Sequence, residues 1–217
     1  MPLSEEDLKI KLVNVRLSFP QIWNAVKFNE TAEPKFEATY LLDPTNPAHA
    51  ASLNEIRAKA LALANQEWPN GLPPGLGICI KDGNMKAYDG YPGIMFVPTN
   101  NKTRPTIVDQ NRDPLVEADG KPYAGCIVNA TITLWAQNNK WGSKINANLR
   151  AIQFVKDGEP FSGNTPAVAE EEFDVVDGQA IPATAAAVAV APAAVAPAAV
   201  DPFAASAAPA VNPFAAV

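Results

Sequence analysis

Residues 125–155, GCIVNATITLWAQNNKWGSKINANLRAIQFV, decide the fold class. Apolar and polar side chains alternate on both sides of a polar turn, the pattern of a β-hairpin with one buried face. On the first strand Ile132, Leu134 and Ala136 point one way, and Thr131, Thr133 and Trp135 the other. On the returning strand the same period puts Ile145, Ala147, Leu149 and Ala151 with the apolar set. Lys144, Asn146, Asn148 and Arg150 then share a face with Trp135. Lys140 and Trp141 lie at the turn.

The segments before the hairpin read the same way. In KLVNVRLSF (11–19), strict alternation puts Lys11, Val13, Val15, Leu17 and Phe19 on one face, with Phe19 toward the core. KFEATYLL (35–42) alternates with Phe36, Ala38, Tyr40 and Leu42 together. Further strands are expected at GICIKDG, GIMFVPT and TIVDQ. The segment 43–68 is the one helix: Asn46 suits its cap, Pro47 its first turn, and Leu53, Ile56, Ala60 and Leu63 form an apolar stripe. Several strands and one helix in about 150 residues predict a mainly β fold. The leading form is an oligonucleotide/oligosaccharide-binding (OB)-like Greek-key barrel with one α-helix; a β-sandwich satisfies the same alternation.

Composition divides the chain near residue 162. All 17 Lys and Arg lie in 1–162, whereas six acids (Glu170, Glu171, Glu172, Asp174, Asp177, Asp201) follow it. The body is thus neutral, and the net charge of -6 belongs to the end of the chain. Residues 163–217 alternate Ala, Pro and Val. Proline at this spacing interrupts helix, and few aromatics remain to offset ordering entropy, which predicts a disordered acidic, then Ala/Pro-rich tail. The expected domains are therefore 1–162, a binding barrel, and 163–217, a tail.

Several chemistries lack their residues. One histidine, His49, and two cysteines in apolar runs, Cys79 and Cys126, do not supply a four-ligand zinc site, so no metal and no cofactor is expected. No Gly-x-Ser-x-Gly, Walker or dinucleotide motif occurs, and no enzyme activity is expected. Asp109, Asp113, Glu117 and Asp119 cluster, but their irregular, proline-broken spacing suits a solvated loop better than a metal-dependent nuclease. The amino terminus, MPLSEEDLKIKL, has acids where a signal peptide needs bases, and no proline-free apolar run is long enough to span a membrane; a cytoplasmic protein is expected.

Aromatic surface among cations and amides is what a single strand of nucleic acid requires: rings to stack on bases and mobile donors for phosphates. The outer hairpin face offers Trp135, Lys140, Trp141, Lys144, Asn146, Asn148 and Arg150. RLSFPQIWNAVKFNE (16–30) adds Arg16, Trp23, Lys27 and Phe28, with Trp23 expected in a loop because Pro20 interrupts the strand. AYDGYPG (87–93) adds Tyr88 and Tyr91, preceded by Lys81 and Lys86, and NNKTRP (100–105) adds Lys102 and Arg104. Each has a plainer reading: a ring under a loop, a structural tyrosine, a solvated charge. The neutral body also admits a structural or adaptor protein with no affinity for DNA.

LVNVRLSFPQIW, then EPKFEATYLLDP with a helix, then YAGCIVNATITLWA with its return strand, resembles the phage-encoded single-stranded-DNA-binding proteins with an OB fold, similar in plan to the single-strand binders of T7-like replication systems. The resemblance covers about residues 9–162. It implies binding of single-stranded DNA in replication, recombination or repair, in the cytoplasm of an infected bacterium, with homo-oligomer formation and a tail that contacts replication proteins. Here the acidic EEEFD run lies far from the terminus, a departure from the usual tail. The tail reads plainly as a solubilising spacer, and two further uses are expected. Glu170, Glu171, Glu172, Phe173 and Asp174 imitate phosphate and base and compete for the DNA groove; alternatively Phe203 and Phe214, in DPF and NPF, dock on a partner.

Overall fold

The first strand is interrupted twice, and both interruptions set what faces out. In the computed structural model, which describes residues 3–139 and 142–161, β1 runs Lys9–Val26 without a break at Pro20. Against β7 (Ile127–Asn139), Leu12 pairs with Ala130 but Val15 with Val128, so β1 carries one extra residue there. Asn14 takes φ 54° at this bulge. Its N–H donates to Asn129 Oδ1 at 3.0 Å, and its carbonyl accepts from His49 Nε2 at 3.1 Å.

Against β2 (Lys35–Leu42) the same thing happens: Ser18 pairs with Thr39 and Gln21 with Glu37, with Phe19 at φ 46°. The inward set is therefore Ile10, Leu12, Val15, Leu17 and Ile22. This corrects strict alternation: Val13 is exposed and Phe19 faces outward, 39% accessible. It also corrects Trp23, which lies within β1. Pro20 is tolerated because a bulge does not need its missing N–H.

The remaining elements close a barrel. They are α1 (Pro47–Glu67), β3 (Gly77–Ile78), β4 (Lys81–Asp82), β5 (Met95–Asn101), β6 (Thr106–Val108) and β8 (Gly142–Lys156). β2 and β7 flank β1, β5 adds antiparallel to β2, and β8 adds antiparallel to β7. β8 returns to β5 in parallel, Asn148 opposite Asn100, so β1–β2–β5–β8–β7 form a closed five-stranded ring of OB-like topology.

In the hairpin, Thr131 pairs with Ala151 but Ile132 with Leu149, leaving Arg150 as the extra residue. Alternation reverses beyond it. Ile152 and Phe154 enter the core, and Ala151, expected among the apolar set, is only half-buried.

Helix α1 begins as expected, with Asn46 Oδ1 accepting from Ala48 N at 2.9 Å and Pro47 in the first turn. Its buried residues His49, Leu53, Ile56, Ala60, Leu63 and Ala64 pack on β1, β7 and β2. His49 is a strut: Nδ1 accepts from Asp43 N at 3.1 Å while Nε2 holds the β1 bulge. Cys79 and Cys126 are buried free thiols, pushed up to about 12 and about 11 by burial. Among the described residues no helix is long and apolar enough to cross a membrane. The division after residue 162 and the tail residues Glu170, Glu171, Glu172, Phe173, Asp174, Phe203 and Phe214 lie outside the described residues, as do Lys140 and Trp141.

Candidate nucleic-acid interface

The β7–β8 pairing sets the outward row. Trp135 lies opposite Asn146, Thr133 opposite Asn148, and Gln137 opposite Lys144. Ile132, Leu134, Ile145, Ala147 and Leu149 are buried behind them. Trp135 is half-buried, with Nε1 inside and no hydrogen-bond partner in the described protein. Thr133, 5% accessible, likewise has an unpartnered Oγ1. Asn146 donates to Gln137 Oε1 at 2.9 Å, which fixes its amide across the strands. Lys144 is exposed.

The turn between β5 and β6 completes a groove over this row. Thr133, Asn148, Leu149 and Arg150 line it from the hairpin, Asn101, Thr103, Arg104 and Thr106 from the turn, and Glu5 from the segment before β1, around ≈ 310 Å³. Arg104 also lies over the Trp23 ring, 5.3 Å from its centroid. Two stretches read separately in the sequence thus meet the hairpin at one place. Arg150 is ion-paired with Glu5, and Lys102 with Glu33. Both are exposed pairs, individually weak and exchangeable for another anion. The Lys102 ammonium beside Glu33 holds its carboxyl below the usual range. Lys27 and Phe28 follow β1 in the exposed 27–34 loop, with Phe28 53% accessible.

Two expected residues serve the fold. Arg16 donates through Nε to Gly125 O at 3.3 Å and through a terminal nitrogen to Glu159 O at 2.6 Å, and it lies over Phe161 at 4.0 Å. It fastens the segment that follows β8 to β1, which engages two of its donors. Gly125 permits this approach, because a Cβ there would meet Glu159 O at 2.3 Å. Tyr91 is 2% accessible and donates to Ser18 Oγ at 3.0 Å. Burial pushes its phenol up to about 12. It is a floor for other rings and offers no face to a base.

The rings above that floor are Tyr88 and Phe19, edge to face at 5.2 Å. With Phe161 they border a depression of ≈ 580 Å³. Phe19 was not expected to be exposed; the Phe-Pro pair that marks its bulge was its sequence signal. Lys81, which the sequence placed ahead of the Tyr88–Tyr91 loop, is half-buried beside β5. The carboxylates of 109–119 stabilise turns: Asp109 accepts from Asn111 N and Asp113 N, and Asp119 from Val116 N. Among the described residues no three His, Cys, Asp or Glu converge as a metal site.

Comparison with known proteins gives this geometry a family. A protein designated p50 from Acyrthosiphon pisum secondary endosymbiont phage 1 is 35% identical over 176 residues, covering 77% of this chain and 93% of that protein. The single-stranded DNA-binding protein from bacteriophage Enc34, solved in complex with ssDNA, superimposes with TM-score 0.66 at 27% identity over 75% of this chain and 97% of that one. A second structure of the single-stranded DNA-binding protein from bacteriophage Enc34 superimposes with TM-score 0.63 at 26% identity over 80% of this chain and 97% of that one. The profile of the ssDNA-binding protein of Enterobacter phage Enc34 matches residues 8–182, and the chain belongs to that family.

Proposed function

We propose that the protein binds single-stranded DNA, with little sequence preference, during phage DNA replication, recombination or repair. The observation that carries this reading is the outward row of β7–β8. It sets Trp135 beside Asn146 and Lys144 and leads into a polar groove holding Asn148, Arg150 and Arg104. The ring stacks on a base, and the cations and amides take the phosphates. The related Enc34 protein, solved with ssDNA, supports the reading.

The protein is a binder and not an enzyme, and it works in the cytoplasm of the infected host. Residues 1–162 carry the affinity. Residues 163–217 recruit replication or recombination proteins through Phe203 and Phe214, or compete for the groove through Glu170–Asp174. Self-association is part of the proposal.

The test is tryptophan fluorescence on adding oligo-dT, with a gel shift of single-stranded against duplex DNA. Quenching that saturates, weakens with salt and is stronger for the single strand is expected. Absence of both quenching and a shift at low salt sinks the reading.

A further inference from the structure

Beside Lys144 of the hairpin row, the seam between β5 and β8 carries two lysines, Lys81 and Lys86, that do not line the groove. The two strands are partners only at Asn100 and Asn148. Toward their amino-terminal ends residues 77–82 fill the opening as a strap. Gly77 and Ile78 run parallel to Lys144 and Ile145 of β8, and Lys81 and Asp82 run antiparallel to Met95 and Phe96 of β5. Gly77 lies against the stem of Lys144, so that a Cβ there would meet Lys144 Cγ at 3.6 Å. Lys86 follows as the residue that ends the short Gly83–Met85 turn.

Lys81 is half-buried in this strap. Burial, then the charges of Lys144 and Lys86, hold its ammonium below the usual lysine range, and all three act in the same direction. A half-buried cation on a strap laid against the stem of Lys144 is placed to hold an anion better than a fully solvated lysine does. The place is also suited to a strand crossing the barrel. On one side is the hairpin row with Asn146 and Trp135; on the other, beyond Lys86, is Tyr88 with Phe19.

We propose that Lys81, with Lys144 and Lys86, forms a backbone-phosphate subsite on the strap that closes the barrel, linking the hairpin face to the Tyr88–Phe19 rings. The proposal rests on the single-strand reading above.

The experiment measures oligo-dT affinity of the full chain across salt concentrations for wild type, Lys81→Gln, Lys81→Arg and, as a control, Lys156→Gln at the far end of β8. Lys81→Gln should lower the log-log slope by about 0.7, equivalent to about a fivefold loss of affinity at 0.1 M salt relative to 1 M. Lys81→Arg should keep the slope, and Lys156→Gln should match wild type. The melting temperature of Lys81→Gln should hold or rise, because a repelled cation has been removed; a lysine needed only for folding would lower it. Lys81→Gln with wild-type slope and affinity overturns the subsite while leaving the function reading intact. A wild-type protein that binds no oligo-dT overturns the function reading itself.

Discussion

Arg104 lies over the indole of Trp23 at 5.3 Å from the ring centroid, joining the β5–β6 turn to the far half of β1. The guanidinium is exposed on its other side and lines the groove with Asn148 and Arg150. A guanidinium held over a ring is positioned to stack on a base or pair with a phosphate. Arg104→Ala should therefore weaken oligo-dT binding and lower the salt slope by about 0.7. Arg104→Lys should keep the slope but recover only part of the affinity. Titrations at several salt concentrations check both.

Trp135 carries the stacking argument. Its ring is half-buried, so Trp135→Ala removes both a stacking surface and some packing. The expected loss is about 1–3 kcal/mol of single-strand affinity. Trp135→Phe should retain most of it and abolish much of the fluorescence quenching. Equal affinity for all three proteins would place the bases elsewhere.

The β1 bulge makes a folding prediction. Asn14 sits at φ 54°, a conformation that asparagine tolerates and β-branched residues resist. Asn14→Gly should leave stability nearly unchanged. Asn14→Val should cost about 1–3 kcal/mol in denaturant unfolding, the range for a residue held in a sparsely populated region.

Much of the barrel was legible in the sequence because period-two alternation survives locally in every long strand. The orientation of whole strands was not. A bulge inserts one residue without altering local composition, so the alternation that puts Leu12 in the core at one point puts Val15 there three residues later. Phe19 and Ala151 were misassigned for the same reason. Within the site, the outward row of the hairpin was readable because both strands are contiguous in sequence. Its companions were not: Arg104 meets Trp23, and the 77–82 strap meets Lys144, only through barrel closure. Tyr91 and Tyr88 flank one turn in identical chemical settings, and only packing against Phe96 and Ser18 decides that Tyr91 is the buried one.

Glu37 gives the last prediction, a pH dependence. It faces outward from β2 opposite Asn100 and is half-buried. Burial pushes its carboxyl above the usual range, with the Lys35 charge opposing weakly. A carboxyl raised in the folded state favours the folded protein at low pH, where it is neutral in both states. That contribution is lost as pH rises from the unfolded pKa, about 4.3, through the higher folded value. Glu37→Gln should therefore raise the melting temperature at pH 7 and have little effect at pH 3.5. Because the mutation also removes a negative charge beside Asn100, at the end of the groove's wall, it should strengthen oligo-dT binding modestly at low salt. Thermal unfolding of both proteins across pH 3.5–8 checks the first part. A stabilisation that persists unchanged into acid would show that the gain is not electrostatic.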